Sequence, residues 1–305
     1  MAHDLIIIGG GPAGLTAGMY AGRARLRVLL LEGGSPGGQI NDTANVENYP
    51  GVEPLSGAEL ASRMEQQAVG FGLEIVRTNV TMASESPDGY TISTDSGEQR
   101  RCRALILALG ASPVKLGVPG EARLTGRGVS YCAVCDGPFY RDQEVAVIGG
   151  GDSAVEEAVY LTRFARRVHI VHRRDELRAV KEIQEKALGN PAIELHWSHA
   201  PVEILGDQGV EALRIRSLKD GNERDLAVYG VFLYVGMKPN IIDGLGSLLK
   251  TDGRGFIVTD QEMRCGPPGL FAAGDVRSKA LRQITTAVGD GATAAFSAQH
   301  YLEKL

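Results

Sequence analysis

The chain has 305 residues, enough for two domains of ordinary size. With 43% hydrophobic and 23% charged residues it has the composition of a globular protein, and its formal net charge of −5 argues against a general nucleic-acid binder, which needs a basic face. Its 40 glycines gather at particular points rather than in linkers.

The opening segment, MAHDLIIIGGG, has no positive n-region, and its apolar run is too short for a signal peptide. Leu5 to Gly22 carries no charge, yet six glycines and Pro12 interrupt it. It is expected to be a strand and a glycine loop entering a helix, not a membrane span. No later stretch approaches a span, so a cytoplasmic protein without a membrane partner is expected. Further along, LIII (5–8), RVLLLE (27–32), ALILALG (104–110), EVAVIGG (144–150) and RVHIVH (167–172) are predicted as buried strands. AGLTAGMYAGRA (13–24) and SAVEEAVYLTRFA (153–165) are predicted as helices. Strand, crossover helix and strand make the unit of a parallel sheet, which places the chain in the α/β class.

Two of these units repeat at a shift of 140. DLIIIGGGPAGLTAGMYAGRARLRVLLLE starts at Asp4, and EVAVIGGGDSAVEEAVYLTRFARRVHIVH starts at Glu144. Gly9, Gly11 and Gly14 map onto Gly149, Gly151 and Ala154, with Pro12–Ala13 and Asp152–Ser153 between them. The first glycine allows a tight turn, and the second admits a pyrophosphate to the backbone. The third, small position lets helix pack on sheet. Each loop is therefore expected to hold a dinucleotide at a helix N-terminus.

The ends of the second strands differ. Glu32 closes the first unit, where a carboxylate accepts from a ribose 2′-OH. The matching position is His172, followed by Arg173, Arg174 and Arg178. Guanidinium groups there would grip a 2′-phosphate; the alternative is a solvated, charged helix start. The first site is thus expected to take an adenosine with a free 2′-OH and the second NADP(H). Two such sites suggest a relay from nicotinamide to flavin.

Of the four cysteines, the isolated Cys102 and Cys265 are expected to be small buried hydrophobes. Cys132 and Cys135 form a close pair in SYCAVCDGPFY. Near the end, GLFAAGD is predicted as a strand running into Gly274 and Asp275, followed by a helix of small residues suited to close approach.

GGGPAG, GGQI, VENYPG, ALGAS, CAVCDG, VAVIGGGDSAVEEA, HRRDELRA, FAAGDV and RQITTA follow one another over essentially the whole length. In that set and order the chain resembles the bacterial-type, low-molecular-weight thioredoxin reductases. The resemblance implies two Rossmann-like domains, an FAD domain (1–112 and 241–305) with an NADPH domain (113–240) inserted in it. It implies that Gly9, Gly11, Pro12, Ala13, Gly14 and Glu32 hold the FAD adenosine and diphosphate. Gln39, Asn48, Val80, Ala108, Gly110, Asp275, Arg282, Gln283 and Ile284 would complete the FAD site. Gly149, Gly151, Asp152, Ser153, Ala154, His172, Arg173, Arg174 and Arg178 would hold NADPH. Val134, Leu109 and Ile284 stand where the family commonly has threonine, threonine and alanine.

For the cysteine pair three readings compete. Zinc needs four ligands, and the remaining cysteines are single and distant, so no metal is expected. A structural disulfide across so small a loop would constrain little. A catalytic dithiol fits best. By resemblance Cys135 faces the flavin, Cys132 attacks the partner disulfide, and Asp136 protonates the leaving thiolate, its pKa raised by burial. A helix cap is the alternative role for Asp136. Because cysteines and nicotinamide must both reach the flavin, the inserted domain is expected to rotate, with crossings near Ser112–Gly117 and Gly236–Asn240. The expected partner is thioredoxin or a similar small redoxin, and the expected assembly is a homodimer. A dithiol substrate or a redox-sensing flavoprotein is the alternative.

Overall fold

Unbroken apolar runs bury both faces of a strand, and those read from the sequence do so: Leu5–Ile8 and Val28–Leu31 are all buried. The computed structural model describes residues 3–43 and 46–305, with the backbone alone at Cys135. Two units emerge, Met1–Ser112 with Lys238–Leu305, and Pro113–Met237.

The first unit begins with β1 (His3–Ile8), α1 (Pro12–Arg23), β2 (Val28–Glu32), α2 (Gly57–Gly70) and β3 (Glu74–Arg77). β4 (Val80–Ser86), β5 (Gly89–Thr94), β6 (Gln99–Leu107) and β7 (Ala111–Pro113) follow. The second unit then brings α3 (Glu121–Leu124), β8 (Val129–Ser130), α4 (Ala133–Asp136), β9 (Glu144–Ile148), α5 (Asp152–Leu161) and β10 (Arg167–His172). It continues through α6 (Lys181–Leu188), β11 (Ile193–Trp197), β12 (His199–Leu205), β13 (Ala212–Ser217), β14 (Glu223–Leu226) and β15 (Gly230–Leu233), and β16 (Met237–Pro239) leads back into the first unit. β17 (Leu270–Ala272) and α7 (Ile284–Leu302) end the chain.

In the first unit the sheet runs β3-β2-β1-β6-β5-β4, with β17 also on β6. Its β3, β2, β1, β6 and β17 pairings are parallel, whereas β4 and β5 add antiparallel neighbours. In the second unit β11-β10-β9-β15-β8 is a parallel sheet beside an antiparallel β12-β13-β14 sheet. The repeat extends to strand register. Leu5 pairs with Val28 and Ile8 with Leu31; Val145 pairs with Val168 and Ile148 with Val171. Every one of these pairs is its counterpart plus 140.

The predicted helix 153–165 stops at Leu161. There Thr162 turns its hydroxyl onto the Val159 carbonyl at 2.7 Å and accepts from Asn190 Nδ2 at 3.1 Å, so its side chain closes the helix. Residues 173–180 form bends rather than a helix, and α6 starts only at Lys181. The small residues of α7 meet their expected use: a Cβ on Gly291 would overlap the Ala13 carbonyl of α1. Among the described residues no helix is long and apolar enough to cross a membrane.

Candidate active site

The first glycine loop joins β1 to α1. Gly9 has φ +105°, and a Cβ there would overlap the Ala108 carbonyl oxygen, so only glycine makes this turn. A Cβ at Gly14 would overlap the Gly9 carbonyl, which explains the small third position. Gly11 is the opposite case, with nothing within 4 Å of where its Cβ would stand. That open cradle lies at the N-terminus of a 12-residue helix begun by Pro12. Beside it, Glu32 accepts from Gly10 N at 2.5 Å and Gly34 N at 2.8 Å, one bond per carboxylate oxygen. Each oxygen keeps a lone pair for a ribose hydroxyl.

Distant segments converge on this loop. Gly37 donates its N–H to the Gly10 carbonyl at 2.7 Å, which lays GGQI across it. Gln39 donates to the Ala111 carbonyl, and Asn240 donates to the Leu109 carbonyl at 2.9 Å. The space where a Cβ on Gly110 would stand is open, and Ala108 is buried. Asn48 donates to Gln283 Oε1 at 3.1 Å across 235 positions of sequence. Gln283 caps α7 with Thr286 as its capping-box partner, and Ile284 packs with Ile40, Val46 and Leu55. Val80 stands apart from these polar groups, packed with Leu109 on the apolar layer of Ile8 and Leu31.

Asp275 sits in a 3₁₀ turn, Gly274–Val276, that the sequence pattern places but does not explain. Buried Asp290 of α7 holds the turn, accepting from Gly274 N at 3.1 Å, Arg277 Nη1 at 2.5 Å and Lys279 Nζ at 3.1 Å. Arg282 donates to the carbonyls of Asp275, Arg277 and Lys279 and lies 3.9 Å from the Phe256 ring centre, so its charge braces the loop. Asp275 Oδ1 is buried 3.3 Å from Lys279 Nζ and has no hydrogen-bond donor among the described residues. The ion pair with Lys279 offsets part of the cost of its burial, and a hydroxyl of FAD would supply the missing hydrogen bond. The open Gly11 cradle, Glu32 and this Asp275 oxygen without a hydrogen-bond donor fit FAD.

The second loop repeats the first. Gly149 has φ +151°, and a Cβ there would lie 2.6 Å from the Tyr234 carbonyl oxygen and 2.7 Å from the Ala154 Cβ. Gly151 is open except for Arg178 Nη2 at 3.9 Å. Asp152 accepts from Val180 N at 2.7 Å, and the Gly150 carbonyl accepts from Arg178 N at 2.6 Å. These bonds fold the 173–180 bends back beside the loop. Ser153 is exposed at the start of α5. Arg173, Arg174 and Arg178 are all exposed and have no ion-pair partner among the described residues. His172 is buried against Gly150, and its Nε2 has no hydrogen-bond partner among the described residues. Burial, then Arg178 and Arg174, push its pKa down, which keeps the ring neutral at pH 7. Three unpaired guanidinium groups beside an open glycine fit the 2′-phosphate of NADPH.

Cys132 is disulfide-bonded, while Cys102 and Cys265 are free, buried thiols whose pKa values burial pushes up to about 12. The side chain of Cys135 lies outside the described residues. Two hydroxyls hold the turn into α4: Ser130 Oγ accepts from Cys132 N at 3.0 Å, and Tyr234 Oη accepts from Ala133 N at 2.9 Å. Half-buried Asp136 stands at the N-cap of the Gly137–Tyr140 3₁₀ turn but makes no side-chain cap hydrogen bond. The capping alternative is therefore not met.

Two further residues join this turn without having been foreseen. Burial, with Glu157 and Asp136 adding their charge, raises the Tyr234 phenol pKa. Glu157 of α5 has a buried Oε2 without a hydrogen-bond partner among the described residues, and burial with Glu156 raises its pKa to about 7. No local signal set Glu157 apart from its neighbouring acid Glu156, and Tyr234 had none.

Residues 3–291 match the family of pyridine nucleotide-disulphide oxidoreductases. A thioredoxin reductase from Listeria innocua is 48% identical over 304 residues, covering 99% of this chain and 95% of that protein. One from Bacillus subtilis is 46% identical over 304 residues, covering 99% and 96%. The crystal structure of Lactococcus lactis thioredoxin reductase matches at a TM-score of 0.96 and 48% identity, covering 99% of this chain and all of that one. A thioredoxin reductase from T. acidophilum matches at 0.93 and 32% identity, covering 98% of each. The chain belongs to the pyridine nucleotide-disulphide oxidoreductases and, among them, to the thioredoxin reductases, flavoproteins that use FAD and NADPH.

Proposed function

We propose that this protein reduces the disulfide of thioredoxin with electrons drawn from NADPH. The observation that carries the reading is the disulfide at Cys132, on a turn anchored by Tyr234, in a chain with two nucleotide cradles. FAD and NADPH, when bound, supply the hydride and electron-pair chemistry. The first unit is the FAD domain. Gly9, Gly11 and Gly14 shape its diphosphate cradle, Glu32 takes the ribose, and Asp275 takes a hydroxyl. The second unit is the NADPH domain, with Arg173, Arg174 and Arg178 on the 2′-phosphate.

Cys132 and Cys135 form the redox pair. In the reduced protein the Cys132 thiolate attacks one sulfur of the thioredoxin disulfide, forming a mixed disulfide and releasing a thiolate. Asp136 gives that thiolate its proton. The Cys135 thiolate then attacks the Cys132 sulfur, which re-forms the internal disulfide and frees the second thioredoxin thiol. Gly117 at φ +79° and Gly236 at φ +137° supply a pliable turn near each domain crossing. The second unit turns about these crossings during the cycle. A cytoplasmic homodimer is part of the same reading.

The test is NADPH oxidation by purified, yellow protein with and without thioredoxin. Wild type should turn over only with thioredoxin, and Cys132→Ser should not turn over although NADPH still bleaches its flavin band. Thioredoxin reduction that persists in Cys132→Ser would overturn the assignment.

A further inference from the structure

Three imidazoles gather in the second unit, on strands whose nucleotide-binding role does not use them. The parallel register sets His169 of β10 opposite Glu194 of β11, and His196 shares a strand face with Glu194. His169 and His196 are 6% and 3% exposed. His169 Nδ1 lies 3.0 Å from His196 Nε2, and the Glu194 carboxylate reaches within 3.9 Å of the first and 3.6 Å of the second. Ligand atoms bound at about 2.0–2.2 Å around a tetrahedral cation stand roughly 3.3 Å apart. The three separations bracket that value, Glu194 meeting His169 through Oε2 and His196 through Oε1. The third imidazole, His199, meets His196 edge-on at 6.2 Å and turns its Nδ1 to the Trp197 carbonyl, so it is a neighbour only.

The surroundings of His169 suit a ligand. Its outer nitrogen, Nε2, is 3.0 Å from Glu144 Oε2, the carboxylate–histidine pairing that orients a ligating ring and leaves the inner nitrogen its lone pair. His196 is latched instead. Arg224 Nη2 lies 2.8 Å from its Nδ1, and arginine can only donate. The His196 proton therefore sits on Nε2 and is given to His169. A cation at Nε2 requires that proton to leave and Nδ1 to take one up, with Arg224 moving aside. Arg224 is exposed, and the bond to His196 is its only side-chain hydrogen bond among the described residues. Arg167 also competes, through its 2.8 Å bond to Glu194.

We propose that His169, Glu194 and His196 bind one divalent late first-row metal ion of the zinc class, which displaces Arg224 as it enters. Half-exposed Glu194 provides the approach from solvent, and the fourth position is left to water.

The test uses tag-free, oxidised holoenzyme, in which the redox cysteines are closed and do not compete, titrated with Co²⁺ and Zn²⁺. The expected result is one ion per chain by elemental analysis, with a cobalt band at longer wavelength than the flavin absorption. His196→Gln and His169→Gln should lose it. Glu194→Gln, at a half-exposed position, should weaken it about tenfold and Arg224→Ala should tighten it about tenfold. Flavin absorbance and circular dichroism establish that each variant is folded. Absence of stoichiometric metal in both wild type and Arg224→Ala overturns the proposal, as does binding that survives all three ligand substitutions.

Discussion

Tyr234 accepts the Ala133 amide proton through its hydroxyl at 2.9 Å, while its own carbonyl lies against Gly149 of the nucleotide loop. One residue at the end of a buried strand thus touches both the cysteine turn and the second glycine loop. Tyr234→Phe keeps the ring and leaves the Ala133 N–H without its acceptor. An unsatisfied buried amide costs about 1–3 kcal/mol. A loss of that size should appear in the denaturant midpoint, with a shifted disulfide equilibrium against glutathione. An unchanged equilibrium would mean that the hydroxyl does not tune the pair.

The two glycines of the first loop, proposed above as the FAD diphosphate cradle, should respond differently to one methyl group. At Gly14 a Cβ overlaps backbone, so Gly14→Ala should yield little folded protein. At Gly11 the space is open and φ is −69°, which alanine adopts freely. Gly11→Ala should fold and lose flavin, read as a fall in the ratio of 450 to 280 nm absorbance and in its far-ultraviolet-normalised yield of holoprotein. Flavin retained at wild-type level would place the diphosphate elsewhere.

Arg173, Arg174 and Arg178 should set nucleotide preference. Removing one charge-assisted contact to a phosphate costs about 1.5–3 kcal/mol, roughly ten- to a hundredfold. Arg173→Ala should raise KM for NADPH by about that factor and leave KM for NADH unchanged. Equal changes for both nucleotides would assign the arginine to general electrostatics.

Glu157 makes stability depend on pH in an unusual direction for a carboxylate. Its pKa is raised from 4.5 to about 7 by burial, so between those values the folded chain holds a proton that the unfolded chain has lost. The contribution is complete below about 4.5 and lost as pH rises through about 7. Glu157→Gln keeps the shape and removes the titration. Unfolding midpoints of wild type should fall relative to this variant from pH 5 to pH 7.5, by the equivalent of about 2–3 kcal/mol. Parallel curves would remove Glu157 as the titrating group.

The glycine loops and Glu32 were legible because their constraints are local: a turn, an open approach and a helix contact within six residues, and an acid at the next strand end. Strand spans were legible because both faces are apolar. The alternative of a helix start for the 173–180 segment is not met, because its bends depend on Asp152 and Gly150 holding it from a distance, which charges without a period do not announce. Asp290, Tyr234 and Glu157 were silent for a similar reason. Each acts on a partner far away in sequence or through burial alone, and neither leaves a repeating pattern. The cap assigned as an alternative for Asp136 was a fair local inference, and the absent side-chain bond removes it.

Cys102 and Cys265 are walled off, and at neutral pH a thiol with pKa near 12 has almost no thiolate. They are therefore silent toward alkylating reagents in the folded chain. Any mass added by iodoacetamide under native conditions counts only thiols released by reduction. The protein thus carries its own electron meter: intact-mass spectra of samples quenched during turnover report, molecule by molecule, how much of the population is charged.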